Sequence, residues 1–146
     1  MTWEPHQRKE RPVSDETYDV GLSMRRKVLG DEYVDRAIAG ADDFNREFQR
    51  LVTQYCWCET WGKPGLTAQQ RSLNNLCLLA ALNRPHEFEV HFRGALRNGC
   101  TLDELRETLH QIAIYAGIPA GVDAFRIARK VLAEEGVDTG GASHSG

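Results

Sequence analysis

Three observations predict an all-α protein of about seven helices. Apolar residues recur at helical spacing in one segment after another. The segments are punctuated by Gly, Pro and cap residues. No stretch alternates with the two-residue period of a strand. The 146 residues suit one domain, and 41% hydrophobic with 27% charged residues is an ordinary globular composition. A net charge of −3 gives no basic field to hold nucleic acid. No apolar run approaches the ~20 residues that cross a bilayer. The opening MTWEPHQRKERPV lacks the apolar centre of a signal peptide, so the cytoplasm is the expected compartment.

Residues 1–13 read as a polar arm. Ser14 is a helix cap with Asp15 and Glu16 in the first turn, and that helix runs to Leu29 and stops at Gly30. Its apolar residues are sparse, so it is expected to pack on a neighbour rather than through the centre. A short helix spans Asp31 to Ala39. The third opens near Asp42 with Phe44, Phe48, Leu51, Val52 and Tyr55 on its inward face, and ends at the Gly62-Lys63-Pro64-Gly65 break. Thr67 with Gln70, and Thr101 with Glu104, are capping boxes that open the fourth and sixth helices. The fourth carries a broad stripe of Leu73, Leu76, Cys77, Ala80 and Ala81. The fifth runs from Arg84 to Asn98. Leu105, Leu109, Ile112 and Ala113 face inward on the sixth. Pro119 opens the seventh, with Val122, Phe125, Val131 and Leu132 inward. The helical domain covers 14–136, and 137–146 read as a disordered tail.

The fifth helix draws the chemistry. Phe88, His91, Phe92 and Ala95 share one face, so His91 points towards a core or a pocket. Glu87 lies four residues before it and Arg84 three before Glu87, close enough to converge. A buried charge without a partner is costly, which marks such a helix. A satisfied core histidine is the plainer alternative. Trp57, Glu59 and Trp61 precede a Gly/Pro loop and form either a pocket wall or a helix end stapled by aromatics, with Glu59 in solvent. Arg71 sits in a first turn, where a cation opposes the helix dipole. Cys56, Cys58, Cys77 and Cys100 read as buried reduced thiols; the C-x-C at 56–58 points its members to opposite sides of a helix, and no zinc site is completed.

The order of Trp57-Cys58-Glu59-Thr60-Trp61, Pro64-Gly65-Leu66, Arg71-Ser72-Leu73, Ala81-Leu82-Asn83-Arg84, Glu87-Phe88, His91 to Arg93, Asn98-Gly99 and Gln111 to Tyr115, with Gly117 and Pro119, resembles the carboxymuconolactone decarboxylase family. The resemblance runs from about Tyr18 to Glu134 and implies an alkylhydroperoxidase D-like helical bundle. Peroxidases of that superfamily carry Cys-x-x-Cys-x-x-x-His. With their histidine on His91, their cysteines fall on Arg84 and Glu87, so thiol chemistry is disfavoured. The chain departs from the family at Cys58, where decarboxylases often have Gly.

What the resemblance implies is decarboxylation of γ-carboxymuconolactone to the β-ketoadipate enol-lactone, in aromatic-acid catabolism. Such a substrate is its own electron sink, because the lactone carbonyl takes up the electrons that CO₂ leaves behind; no metal or organic cofactor is required. The protein must hold a dianion, stabilise an oxyanion and deliver a proton. Arg71 and Arg84 are candidate carboxylate clamps. Arg93 is another, or it pairs with Glu89. His91 is a candidate donor or acid. Glu59 between two tryptophans is a candidate acid with a raised pKa. Glu87 is read as orienting His91 or pairing with Arg84. Trp57, Trp61 and Tyr115 complete the substrate wall, with His110 a weaker candidate. The resemblance also implies a symmetric ring, a hexamer or a trimer. Another small-acid decarboxylase or isomerase, or a non-catalytic helical assembly, are the competing readings.

Replacing all four cysteines with Ser or Ala is expected to leave turnover intact, at some cost in packing stability. Loss of turnover with the fold retained, or stoichiometric bound zinc, would overturn this.

Overall fold

The structure, a computed structural model, describes residues 15–141. Within them α1 spans Asp15–Leu29, α2 Asp31–Ala39 and α3 Arg46–Leu51, which continues directly into a π-helix over Val52–Trp61. After a short loop come α4 (Ala68–Ala81), α5 (Pro85–Arg97), α6 (Leu102–Tyr115) and α7 (Ile118–Glu134). There is no strand among the described residues, and no helix of them is long and apolar enough to cross a membrane. The chain is all-α.

Local signals explain most boundaries. Both capping boxes form: the Gln70 amide N–H donates to Thr67 Oγ1 at 3.1 Å, and the Glu104 N–H donates to Thr101 Oγ1 at 3.1 Å. The backbone N–H groups of Thr67 and Thr101 donate to the returning side chains at 2.9 and 2.8 Å. Pro119 sits in the first turn of α7, where its missing N–H costs nothing. The arm at 1–13 and the Ser14 cap lie outside the described residues. Beyond α7 the Val137 N–H donates to the Leu132 carbonyl at 2.9 Å and its side chain packs on the core, so order extends past Gly136.

Two apolar clusters make the interior. In the larger, Phe88 and Phe92 of α5 meet Leu76 of α4, Leu105 and Leu109 of α6, and Val131 of α7. The smaller joins Val28 and Leu29 of α1, Val34 of α2, and Trp57 and Trp61 of the π-helix, with Val90 of α5 packed against it. Helix α5 therefore belongs to both, and it packs on α1, α4 and α7. Helix α1 lies against the π-helix and α5, on the flank, as its sparse apolar content predicts.

The third helix departs from its expected orientation. Phe44, Phe48, Leu51 and Tyr55, read as the inward face, are exposed, Phe44 by 98%. Val122 of α7 is exposed as well. The inward stripe runs through Thr53, Trp57 and Trp61, four residues apart, and is continued back through α3 by the partly buried Asn45 and Gln49. Phe44 and Phe48, one position earlier, and Leu51 and Tyr55 fall outside it and face outwards.

Helix α1 holds this segment through two residues. Gly21 is buried, and a Cβ there would lie 2.0 Å from the Thr53 carbonyl oxygen. One turn on, the buried Arg25 donates from Nη1 to Thr53 Oγ1 at 3.2 Å and from Nη1 and Nη2 to Gln49 Oε1 at 3.1 Å. The pair spans the junction between α3 and the π-helix. Gly21→Ala gains about 1 kcal/mol of helix propensity, but a 2.0 Å backbone contact forces the two helices apart. A net loss of about 1–3 kcal/mol is expected by denaturant unfolding. Unchanged or raised stability would show that α1 and the π-helix do not pack this closely.

Candidate active site

His91 projects from α5 into the angle between α4 and the π-helix. Its ring lies against both buried tryptophans: the His91 and Trp57 centroids are 6.2 Å apart at an interplanar angle of 6°, and those of His91 and Trp61 are 6.2 Å apart at 24°. The tryptophans stack on each other at 5.1 Å. Trp57 and Trp61, four residues apart in the π-helix, lie on one side of it. Burial lowers the His91 pKa from 6.5 to about 4, against the opposing pull of the Glu87 carboxylate. The ring is therefore neutral at pH 7, a hydrogen-bond donor and not a strong acid.

Asn75 of α4 supplies the polar contact to the ring, with its amide nitrogen 3.4 Å from His91 Nδ1. Arg71 lies one turn before Asn75 on the same face of α4. Its Nη2 donates to the Lys63 carbonyl at 3.1 Å, which anchors it to the loop after the π-helix. Its Nε is buried without a partner, and no carboxylate pairs with it among the described residues. A guanidinium held at one end with donors to spare, one turn from the residue that touches the histidine, is suited to gripping a carboxylate.

The other candidates divide. Glu87 is exposed and acts on His91 through its charge; no hydrogen bond joins them, so the orienting contact comes from Asn75. Glu59 is exposed although Trp57 and Trp61 flank it in sequence. The buried indoles face α5, and Glu59, two residues from each, lies on the solvent side of the helix. Arg84 is an exposed helix-cap residue that makes no ion pair with Glu87, so the three-residue convergence is reduced to Glu87 and His91. It lies two turns, about 10 Å, before His91 along the axis. There it lines a separate cleft of about 480 Å³ with Phe88 and Pro119. Tyr115 is 86% exposed at the end of α6. His91, Trp57, Trp61, Glu59 and Arg71 line neither that cleft nor two others of about 580 and 320 Å³.

Arg93 is not free to clamp a substrate. It pairs with Glu89 at 3.0 Å, with Glu135 at 2.9 Å and with Glu134, while Lys130 holds Glu89 from α7. The alternative reading of Arg93 is the one observed. His110 is exposed beside Glu107 and packs on Phe125. Burial raises the thiol pKa values of Cys56 and Cys77, and carries Cys100 to about 11, so none is primed as a thiolate. Asn75 escaped the sequence reading, although a polar residue one turn after Arg71 inside an apolar helix was a usable signal. Arg25 escaped it too, because nothing in a sparse helix marks which arginine is buried.

The family model described as "Carboxymuconolactone decarboxylase family" matches residues 46–130, which include every element of this site. A 4-carboxymuconolactone decarboxylase of Acinetobacter baylyi is 37% identical over 123 residues, 84% of this chain and 92% of that protein. The nitrosuccinic acid decarboxylase npaB of Metarhizium robertsii is 38% identical over 115 residues, 79% of this chain and 80% of that protein. A 4-carboxymuconolactone decarboxylase of Pseudomonas putida is 50% identical over 38 residues, 26% of this chain and 79% of that sequence. With a match over most of its helical domain and relatives of this identity and coverage, the chain belongs to the carboxymuconolactone decarboxylase family.

Proposed function

We propose that this protein is a cofactor-free carboxy-lyase of the cytoplasm that decarboxylates 4-carboxymuconolactone to the enol-lactone of β-ketoadipate, in the breakdown of aromatic acids. The observation that carries the reading is a guanidinium, Arg71, with no carboxylate partner among the described residues, one helical turn from Asn75, whose amide touches a neutral histidine stacked on two tryptophans. The relative from Acinetobacter supplies the substrate.

In this mechanism Arg71 grips a carboxylate and the indole faces of Trp57 and Trp61 hold the flat ring. The C–C bond to the departing carboxylate breaks and CO₂ leaves. The electron pair delocalises through C=C to the lactone oxygen, where the N–H of His91 stabilises the developing charge. A proton then adds to carbon. Glu59 is the candidate acid, and His91, being neutral, is the donor to the oxyanion. Glu87 tunes His91 by charge. Arg84 and Tyr115 are left as contributors from the neighbouring end of the bundle.

The reading extends to a homo-oligomer, most simply the hexamer that the resemblance implies. The exposed Phe44, Phe48 and Tyr55, and Leu78 and Leu82 further along the face of α4 that carries Arg71 and Asn75, support it. A second chain over that face would enclose the niche and desolvate Glu59. A monomer by light scattering at micromolar concentration would contradict this.

A second reading is favoured by the relative from Metarhizium, whose printed substrate is nitrosuccinic acid. A nitro group beside the departing carboxylate is also an electron sink, so the same clamp and donor would serve. Measuring CO₂ release from both acids separates the two. Faster turnover of 4-carboxymuconolactone is expected; faster turnover of nitrosuccinate would favour the second reading, and release from neither would remove both.

On the preferred substrate, His91→Ala is expected to lower kcat by roughly 10²–10³-fold, the usual loss for one oxyanion donor. Arg71→Ala is expected chiefly to raise KM. Full activity in His91→Ala would return His91 to the role of a core histidine. The same histidine also makes stability pH-dependent. Its folded pKa of about 4 lies below the ordinary 6.5, so the unfolded chain binds the extra proton between those values. Stability therefore falls as pH drops through 6.5 and levels off near 4, by a total on the order of 3 kcal/mol. Unfolding curves from pH 7 to 4 should show this slope for the native protein and lose it in His91→Phe; equal slopes would refute the buried neutral ring.

A further inference from the structure

We infer that Asn75 is the positioning residue for His91, its side-chain amide fixing the ring proton on Nε2 and turning that N–H towards the substrate. The inference deepens the proposed function, since it assumes that His91 acts as the oxyanion donor.

The stack alone does not settle which nitrogen carries the proton. Trp57 and Trp61 lie nearly parallel to the imidazole, at 6° and 24°. They fix the plane of the ring, but a half-turn of the ring about its bond to the chain exchanges the two edges and leaves that stacking nearly unchanged. The directional contact is the amide nitrogen of Asn75, 3.4 Å from Nδ1. With the amide nitrogen facing the ring, Asn75 donates and Nδ1 accepts, and a neutral imidazole then keeps its single proton on Nε2; the reversed amide would place it on Nδ1. No other hydrogen bond reaches the ring among the described residues.

Asn75 is itself well held. Its neighbour Leu76 is fully buried in the larger core. One turn earlier Asn98 Nδ2 donates to Ser72 Oγ at 2.9 Å, which locks α4 against α5 near this contact. An aspartate at position 75 would do the opposite of the amide: it would accept from Nδ1–H, favour the imidazolium and strip the proton from Nε2 in the neutral ring. Of the charged groups on the elements around His91, Glu87 acts on it through its charge, Glu89 and Arg93 pair with each other and with α7, and Arg97 donates to the Val28 carbonyl; neither these nor Arg71 of α4 and Glu59 of the π-helix hydrogen-bonds Nδ1.

The test is ¹⁵N NMR of the imidazole nitrogens in the full-length protein at pH 7 without substrate, with the His91 signals assigned by their loss in His91→Gln. The expected spectrum shows the proton on Nε2 and a bare Nδ1. Asn75→Leu should mix the two forms and lower kcat about tenfold, the worth of one hydrogen bond, with KM little changed. Asn75→Asp should move the proton to Nδ1 and raise the pH at which the ring titrates. A proton on Nδ1 in the native protein overturns the inference, and so does an Asn75→Leu variant with the native tautomer and kcat. The native spectrum decides the point even if a variant does not fold. Because it needs no substrate, Nε2–H in a protein that releases no CO₂ from the lactone would sink the proposed reaction and leave the positioning intact.

Discussion

The close approach of α1 to the π-helix is the constraint on which the rest of the structure depends. Gly21 leaves room for the Thr53 carbonyl, and Arg25 bridges Gln49 and Thr53 where one hydrogen-bond ladder gives way to the other. In the π-helix that follows, Trp57 and Trp61, four residues apart, lie on one side and stack with His91 of α5. Phe44, Phe48, Leu51 and Tyr55 lose the core and face out. A π segment of ten residues is unusual, and such segments cluster at functional sites.

The electrostatics of the site follow from that packing. Two indoles exclude water from the His91 ring, and desolvation outweighs the attraction of the exposed Glu87. Burial wins because Glu87 remains in solvent, where its field is screened. The outcome is a neutral donor held by Asn75, one turn from Arg71, a cation with no carboxylate partner among the described residues. Arg93 shows the contrast on the far side of the same helix. Three glutamates satisfy it, and it ties α5 to α7 as a structural bridge. Arg71 and Arg93 thus differ in their partners among the described residues.

Much of the architecture was legible in the sequence because its signals are local. Thr67 with Gln70 and Thr101 with Glu104 specify helix starts through contacts three residues apart, and Pro119 does so through its own ring. The face of α5 was legible for the same reason: Phe88, His91 and Phe92 keep a 3.6-residue period in a regular helix. The third helix was not: the face it packs inwards is the one Gly21 and Arg25 of α1 contact at Gln49 and Thr53, some thirty residues away, and no periodicity reports a contact of that kind. The exposure of Glu59 is one of the two readings the sequence left open: it stands two residues from each buried tryptophan, and residues two apart on a helix do not share a face. Arg84 and Arg71 look alike in sequence. Only the placement of the Lys63 carbonyl and of Asn75 sets Arg71 beside the histidine.

The central claim is that a carboxylate substrate binds at the junction of α4, α5 and the π-helix. A titration with a saturated lactone dicarboxylate that cannot lose CO₂, followed by NMR of the indole N–H groups and side-chain amides, tests it most directly. The account predicts saturable shifts of the Trp57 and Trp61 indoles and of the Asn75 amide that vanish in Arg71→Ala. Saturable shifts confined to the Asn83 amide and other groups of the cleft around Arg84, with both indoles unmoved, would contradict it.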